Sequence, residues 1–456
     1  MIKDAIDSRG GTTGAERATE SGAASESSVQ NSHPLKRLLV LLACVFVAMV
    51  GFGIVLPVLP FYTERLVRAG GASARDVAIQ VGLLTAVYPL AQLLFAPLWG
   101  RWSDTLRRKR IVLVGISGAA VGQTLFAFAS SLPALYVARA VGGILTAALF
   151  PATAAYVADG TTTAQRARGM AWLGTAVSLG AVAGPGLGGV LARTTWQLRA
   201  ASGAVVVSSF AVPFLAAAAL ALIALAAALV WLPESSPARS ASESQARAEP
   251  APRAAGGTKG ADGLAKHPQR GSALAPLLVM AGAGQFGLAL FEATFALYAN
   301  RMWNYGPAQI GVAFMVCGLV MALAQAGATA VLARRVGALA QVAGGFGLVG
   351  GSLALLPAAR GRVLVLLTVA FLALGLALIV PNLAALIATR SSRQRTGRAL
   401  GVQSAANSLG QVVGTLAGGA LLAWRMEAPY FVAAAVLLGL GGAVGWREAK
   451  PPATAR

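Results

Sequence analysis

The stretch Gly180-Ala-Val-Ala-Gly-Pro185-Gly-Leu-Gly-Gly189 decides the fold, because it sets a proline among helically spaced glycines inside a long apolar segment. Proline removes a backbone donor and bends a helix, and glycines four residues apart let a neighbouring membrane helix approach closely. A second copy of the glycine pattern lies 230 residues further on, from Gly410 to Gly419. The copies indicate a chain built from two related halves.

Long apolar runs separate the charged residues on both sides of this stretch. The chain is 56% hydrophobic and only 12% charged, and segments such as 111–138 and 400–424 contain no Asp, Glu, Lys, Arg or His. A helix needs about 20 residues to cross about 30 Å of hydrocarbon. We therefore predict an all-α integral membrane protein with twelve transmembrane helices in two six-helix halves. The predicted spans are 38–62, 77–99, 111–130, 133–157, 169–192, 207–232, 274–298, 307–332, 338–358, 363–387, 399–423 and 428–446.

Polar segments outside the spans define the domain organisation. Residues 1–36 lack the apolar core of a signal peptide and are predicted to be a disordered cytosolic tail, as are residues 448–456 at the other end. Residues 233–272 are predicted to be a flexible cytosolic linker between the halves 37–232 and 273–447. Lys and Arg are more numerous in the links after even-numbered spans, which favours cytosolic termini in a bacterial cytoplasmic (inner) membrane.

Several function classes are excluded by what the sequence contains. The formal charge of +21 does not indicate nucleic-acid binding, because Lys and Arg lie in short links and form no continuous stripe. The sequence has no HExxH motif and no P-loop, and its two histidines, His33 and His267, lie outside the spans. We expect neither an enzyme nor an ATP-driven pump, and no metal or cofactor. Cys44 and Cys317 are expected to be buried thiols.

The link between spans 2 and 3 reads Gly100-Arg-Trp-Ser-Asp104-Thr105-Leu-Arg107-Arg108-Lys-Arg. It resembles the loop 2–3 signature of the major facilitator superfamily of transporters, Gly-x-Leu-Ala/Ser-Asp-Arg-x-Gly-Arg-Arg/Lys. Thr105 replaces the usual Arg, and Arg107 replaces the usual Gly. The second change puts a large side chain where the signature implies a tight turn.

The resemblance implies a gating latch at the cytosolic ends of the spans. Asp104 would pair with Arg398 at the end of span 11, and Arg108 with Asp159 at the end of span 4. Such charge-assisted contacts would hold the cytosolic gate shut in the outward-open state. The alternative is that the cluster only sets the topology of the chain.

The helix-bend motif of span 5 consists of Gly180, Gly184, Pro185, Gly188 and Gly189. It resembles the signature of exporters in the same superfamily, in particular the twelve-span drug/proton antiporters. The resemblance implies a kinked, tightly packed interface that slides or seals between the halves, and it favours export.

Arg139 lies about 10 Å inside span 4 by helical rise, where a charge must face the bundle interior or snorkel. The family has an Arg at this point and a Gln at the position of Gly142. The resemblance assigns Arg139 to proton coupling; a structural hydrogen bond to neighbouring carbonyls is the alternative.

A proton-carrying acid is harder to place. Span 1 resembles the first helix of tetracycline and multidrug exporters, but Ala48 stands where many of them have an acidic residue. Glu292 in span 7 is the remaining candidate for proton coupling. It is expected about 27 Å along its helix, towards the outer mouth. There it would titrate, or snorkel and pair with Arg301 or Arg65.

Uncharged polar side chains in the spans that face the cavity of this fold are candidates for the substrate path; each is equally consistent with a hydrogen bond between helices. They are Tyr88, Gln92, Gln285, Asn382, Asn407 and Gln411. Gln123 is left out, because span 3 is normally peripheral. An apolar cavity lined with amides suits neutral or cationic lipophilic compounds.

The leading hypothesis is export of lipophilic neutral or cationic small molecules by proton-coupled alternating access, by a monomer in the lipid bilayer. A metabolite exporter or facilitator without proton coupling is the first alternative, which Ala48 favours. A sensor derived from a transporter is the second alternative.

Overall fold

The computed structural model describes residues 34–160, 163–192, 196–200, 203–207, 210–233, 274–328, 332, 335–391 and 396–449. Some side chains at the ends of helices are not described, among them those of residues 103–105, 158–160, 163–167 and 396–398. Most of the predicted tails and linker lies outside the described residues. The domain boundaries therefore stay predictions.

The first half contains the six predicted spans, and span 4 consists of two consecutive helices. The helices are Pro34–Ala69, Ala74–Thr105, Arg108–Ala127, Leu132–Thr146 with Leu149–Gly160, Thr163–Leu191 and Ala211–Trp231. Span 4 breaks four residues before Pro151, because a proline cannot donate to the carbonyl at that distance.

The second half repeats this arrangement. Its helices are Ala275–Trp303, Pro307–Leu323, Ala338–Leu355, Arg362–Arg390, Thr396–Trp424 and Ala428–Ala449. Span 8 continues as a π-helix over Ala324–Ala328, and its predicted end at residue 332 is not tested, because residues 329–331 lie outside the described residues. Ten of the described spans are long and apolar enough to cross a membrane, and Pro307–Leu323 is a shorter apolar helix. The all-helical membrane fold is confirmed.

A short β-hairpin precedes span 6, where the sequence predicted only a link and the first residues of the span. Strand β1, Trp196–Ala200, pairs antiparallel with strand β2, Gly203–Val207. The predicted start of span 6 at residue 207 was therefore too early, and the helix begins at Ala211. The run Val205-Val-Val207 is apolar enough to resemble a span, but β-branched residues favour strands.

The bundle has two ends, which we call proximal and distal according to the course of the chain. Span 1 begins and span 12 ends at the proximal end, and the links after odd-numbered spans lie at the distal end. Some distal links are closed by caps. The Ser73 hydroxyl accepts from the backbone N–H of Asp76 at 3.3 Å, and the Asp76 carboxylate accepts from the Ser73 N–H at 2.9 Å, forming a capping box at the start of span 2.

Each half has its own core. In the second half, Phe291, Phe295 and Phe314 form an aromatic cluster with ring centroids 4.8 to 5.7 Å apart. In the first half, Phe126 and Phe214 pack with ring centroids 4.7 Å apart. Aromatic pairs in this range contribute beyond their buried area. The two cores keep each half rigid, so relative motion is expected where the halves meet.

The halves meet through span 2 against span 11 and span 5 against span 8. A Cβ on Gly82 would lie 2.8 Å from Gly419 Cα, and a Cβ on Gly189 would lie 3.1 Å from Gly311 Cα. These glycines lie in the distal parts of their helices. Arg301 at the distal end of span 7 also donates from Nη2 to the Ala74 carbonyl of span 2 at 3.2 Å. The described arrangement is closed at its distal end.

Candidate functional site

Arg139 lies in the interior of the first half. It is 4% exposed, and its Nε donates to the Leu84 carbonyl of span 2 at 3.3 Å. Its guanidinium carbon lies 5.3 Å from the centroid of the Tyr88 ring, within cation–π range. The guanidinium is therefore held by span 2 through one carbonyl and one aromatic face, so both the interior placement and the carbonyl hydrogen bond expected from the sequence are present.

Tyr88 is itself held in place by span 4. Its hydroxyl and the Thr146 hydroxyl are 2.8 Å apart, and Thr146 Oγ1 donates to the Gly142 carbonyl at 2.6 Å. Tyr88 O–H is then the donor to Thr146. The Tyr88 ring packs near Gly142, where a Cβ would lie at an ordinary van der Waals distance of 3.9 Å from Tyr88 Cε2. Thr146 completes this network and was not among the predicted residues.

Glu292 interacts electrostatically with Arg139, which lies in the other half of the protein. The same carboxylate interacts with Cys317 of span 8. The sequence placed Glu292 about 27 Å along span 7, towards the outer mouth, and this depth stays a prediction. Span 7 continues to Trp303, so Glu292 lies about 5 Å from the middle of the helix Ala275–Trp303.

The alternative partners of Glu292 are engaged elsewhere. Arg301 contacts the Ala74 carbonyl and, through Nη1, the Met426 sulfur at 3.6 Å. Arg65 interacts electrostatically with Tyr62 of its own helix. Glu292 and Arg139 are thus an acidic and a basic side chain that belong to different halves and interact electrostatically.

The predicted amide residues divide into two groups. Gln411 of span 11 donates from Nε2 to Gln285 Oε1 of span 7 at 3.2 Å, so this pair lies together in the second half. Asn382 donates to Gln341 Oε1 of span 9 at 3.0 Å. Span 9 packs against spans 10 and 12 and carries no close contact with the first half among the described residues. Asn382 therefore links two helices of its own half. Gln92 and Asn407 are partly buried.

The glycines of span 5 contact two different helices. A Cβ on Gly180, Gly184 or Gly188 would lie 2.6 Å from a backbone oxygen of span 1. A Cβ on Gly189 would lie 2.6 Å from the Pro307 carbonyl of span 8, in the other half. Pro185 packs against Gly53 of span 1. Most of the motif therefore locks span 5 to its own half, and its distal end forms part of the interface between the halves.

The link between spans 2 and 3 does not require a glycine. Arg107 has φ −61° and ψ 123°, and Leu106 has φ −93° and ψ 159°, which are extended conformations open to any residue. Arg107 in place of the usual Gly is therefore unstrained. A Cβ on Gly100 would meet nothing within 4 Å. The side chains of Asp104, Asp159 and Arg398 lie outside the described residues, so the latch stays a prediction.

A small cavity lies inside the first half, between spans 1, 3 and 4. Its volume, counted as the space that the centres of water molecules can occupy, is about 30 Å³. Arg139, Tyr88, Ala48 and Gln123 line it, together with glycines of spans 3 and 4. Sequence reasoning set Gln123 aside because span 3 is peripheral. A glutamine in an otherwise apolar run was the available signal.

Cys44 and Cys317 are both buried and unbridged, as expected from the sequence. Among the described residues, no group of three or more His, Cys, Asp or Glu side chains is arranged to hold a metal ion.

Comparisons with known proteins agree with this architecture. The sequence profile of the Major Facilitator Superfamily matches residues 41–374 and again residues 277–456. Multidrug resistance protein 2 of Bacillus subtilis (strain 168) is 27% identical over 424 residues, covering 91% of this chain and 96% of that protein. Quinolone resistance protein NorA of Staphylococcus aureus (strain MRSA252) is 26% identical over 403 residues, covering 88% and 94%.

Solved structures show the same fold at lower identity. A peptide transporter POT in complex with sulfate superimposes with a TM-score of 0.70 at 15% identity, covering 91% of this chain and 94% of that one. A D-xylose-proton symporter superimposes with a TM-score of 0.68 at 12% identity, covering 89% and 97%. A profile that matches most of the chain, together with two related six-helix halves, shows that this multi-pass membrane protein belongs to the Major Facilitator Superfamily of transporters.

Proposed function

We propose that this transporter exports lipophilic neutral or cationic small molecules in exchange for protons, by alternating access. The observation that carries the proposal is the electrostatic interaction between Glu292 of the second half and Arg139 of the first, which is buried in the interior of its half. The names of its relatives, a multidrug resistance protein and a quinolone resistance protein, support a drug-like substrate.

The pair offers a physical route to coupling. A charged Glu292 attracts Arg139 across the two halves, and this attraction is strong where water is scarce. Protonation of Glu292 removes this attraction. The free energies of the inward-open and outward-open arrangements of the halves then become more similar. A cationic substrate near Glu292 competes with the proton for the same carboxylate. Such competition couples export to proton entry.

The substrate path in this proposal lies between the halves. Phe52 and Tyr88 form an aromatic pair with centroids 5.5 Å apart beside Arg139, and Gln285 with Gln411 supplies hydrogen-bonding groups from the second half. Gln92 and Asn407 extend the polar lining. Aromatic faces and neutral amides accommodate flat, lipophilic compounds with few hydrogen bonds.

The distal end is proposed to face the outside, so that both termini and the linker are cytosolic and the described arrangement opens inward. Asp104 with Arg398, and Arg108 with Asp159, are proposed to form the latch that closes the cytosolic side. Asp104→Asn should slow turnover, and exchanging the charges of Asp104 and Arg398 should restore part of it. Normal turnover in Asp104→Asn would indicate that this cluster only sets the topology of the chain.

The proposal is tested by transport into proteoliposomes with an imposed pH gradient, using tetraphenylphosphonium as a lipophilic cation. Glu292→Gln and Arg139→Ala should each abolish the response to the pH gradient. Glu64→Gln is the matched control, because Glu64 pairs at 2.6 Å with Arg68 on its own helix and has no part in the site. Loss of the pH response in this control as well would point to general damage.

A facilitator or metabolite exporter without proton coupling is the second candidate. Ala48 favours it, because this residue lines the cavity beside Arg139 and supplies no carboxylate there. The same experiment separates the two functions. Transport by the unmodified protein that ignores the pH gradient would overturn antiport and support the facilitator.

A further inference from the structure

The cavity beside Arg139 contains an unsatisfied polar atom. Gln123 donates from Nε2 to the Gly51 carbonyl at 2.7 Å, which fixes the orientation of the amide. The other end of the amide, Oε1, is buried and has no hydrogen-bond partner among the described residues. A buried acceptor without a partner is costly, and such sites in proteins are commonly satisfied by water.

Arg139, which lines the same cavity, supplies donors. Arg139 uses its Nε–H on the Leu84 carbonyl. A guanidinium has five N–H donors, and the Nη groups of Arg139 make no hydrogen bond to the described residues. Arg139 and Gln123 therefore present donors and an acceptor to one cavity.

Water is the ligand whose chemistry fits this arrangement. It accepts from the guanidinium and donates to the amide oxygen at the same time, which a monatomic anion or cation cannot do. A cavity needs about 10–15 Å³ of such space to hold one water. The 30 Å³ present is enough for one or two.

We propose that this cavity holds ordered water linking Arg139 to Gln123, and that Gln123 is a positioning residue for the guanidinium. The consequence of this inference rests on the proposed function, in which Arg139 is the residue that interacts electrostatically with Glu292. Water-linked Gln123 holds the guanidinium against the first half. Without it, Arg139 has more freedom to approach Glu292.

The groups that face this pair are few among the described residues. Arg139 interacts with Tyr88 and Glu292, and Glu292 interacts with Arg139 and Cys317. Closer approach of Arg139 keeps the Glu292 carboxylate charged to lower pH. The pH dependence of substrate binding therefore reports the position of the guanidinium.

The first test is direct. A structure of the full-length protein, at a resolution where other buried waters are visible, should show density within hydrogen-bonding distance of Gln123 Oε1 and an Arg139 Nη atom. An empty cavity in such a map overturns the inference. This readout does not depend on transport, so it stands even if the proposed function fails.

The second test uses variants and the binding of tetraphenylphosphonium to purified protein between pH 5 and 9. Gln123→Leu removes the acceptor, and Ala48→Leu fills the cavity without removing a polar group. Both should move the midpoint of the pH profile to lower pH by about one unit, a tenfold change in proton affinity. Gln123→Asn keeps an amide oxygen, so its midpoint should shift by less than that of Gln123→Leu.

Thr124→Val is the matched control. Thr124 is the next residue of span 3, its hydroxyl donates to the Ala120 carbonyl of its own helix at 2.8 Å, and it does not line the cavity. It should leave the midpoint unchanged. Unshifted profiles in both Gln123→Leu and Ala48→Leu, while Glu292→Gln abolishes the pH dependence, would overturn the positioning role and leave the proposed function standing.

Discussion

Span 5 and span 11 carry the same glycine pattern, and the structure uses both copies in the same way. Gly180, Gly184 and Gly188 face the backbone of span 1, and their counterparts Gly410, Gly414 and Gly418 face span 7. The last glycine of each pattern contacts the opposite half: Gly189 meets span 8, and Gly419 meets span 2. The repeat found in the sequence is therefore a repeat of contacts.

The polar residues differ where the glycines agree. The first half contributes a cation, Arg139, and the second half contributes an acid, Glu292, at positions that the 230-residue offset does not relate. The 230-residue offset also relates Pro151 to Pro381, and these two prolines have different positions in their helices. Pro151 lies just beyond a helix break, whereas Pro381 lies within the continuous helix Arg362–Arg390. Packing positions are shared between the halves, and the groups that carry charge are not.

The largest loss of stability is expected when a methyl group is added to one of the shared glycines within each half. Gly184→Ala would bring a Cβ to 2.6 Å from the Val50 carbonyl, and Gly414→Ala would collide with the Phe286 carbonyl. Neither backbone can move far, so each change should destabilise its half by about 1–3 kcal/mol. Thermal unfolding of the purified protein measures the loss.

Two exposed glycines are the controls for this prediction. A methyl group added to Gly174 of span 5 or to Gly401 of span 11 would meet nothing within 4 Å, so Gly174→Ala and Gly401→Ala should be tolerated. Gly has a lower helix propensity than Ala, and these changes should stabilise slightly. A large loss in only one of the two halves would show that the halves do not use the pattern equivalently.

The next effect concerns the glycines between the halves. Gly189→Ala and Gly419→Ala crowd the distal contacts, at 2.6 Å from the Pro307 carbonyl and 2.8 Å from the Ala78 carbonyl. They should disfavour distal closure while leaving each half folded, shifting the equilibrium about tenfold, or about 1.4 kcal/mol, towards distal opening. Distances between spin labels on the links after spans 1 and 7 should lengthen. Unchanged distances in both variants would mean that the distal contact does not set the equilibrium.

The smallest effect separates the two groups of amides in the second half. Gln411→Leu and Asn382→Leu each remove one hydrogen bond between helices, and each should cost about 0.6 kcal/mol of stability. Only Gln411→Leu should also change the affinity for tetraphenylphosphonium, because Gln411 is proposed to line the substrate path. Equal binding changes in the two variants would contradict that assignment.

Much of the fold was predictable from the sequence because membrane insertion requires long apolar helices. The spans, the two halves and the tight packing of span 5 follow from segment length, the 230-residue offset and the glycine spacing. The hairpin of β1 and β2 was missed, since a short valine-rich run before a span looks like part of the helix. The break in span 4 was missed, although Pro151 inside an apolar run was the available signal.

The site was less predictable. Arg139 was recognised because a charge inside a membrane helix is costly and needs a reason. The depth of Glu292 stays a prediction, because it depends on where span 7 ends, and helix ends are poorly defined by apolarity alone. Gln123 was set aside because span 3 is normally peripheral, and the sequence does not show that Gln123 bonds to span 1 and shares a cavity with Arg139.

The sequence by itself determined the class, the two halves and the membership of the transporter superfamily, since hydrocarbon thickness and backbone hydrogen bonding leave few options for such a chain. Only the tertiary structure decided which glycines join helices within a half and which join the halves. It also decided that Arg139 interacts electrostatically with Glu292 and shares a cavity with Gln123. Those relations depend on which faces of distant helices meet, and the packing of the whole bundle sets them.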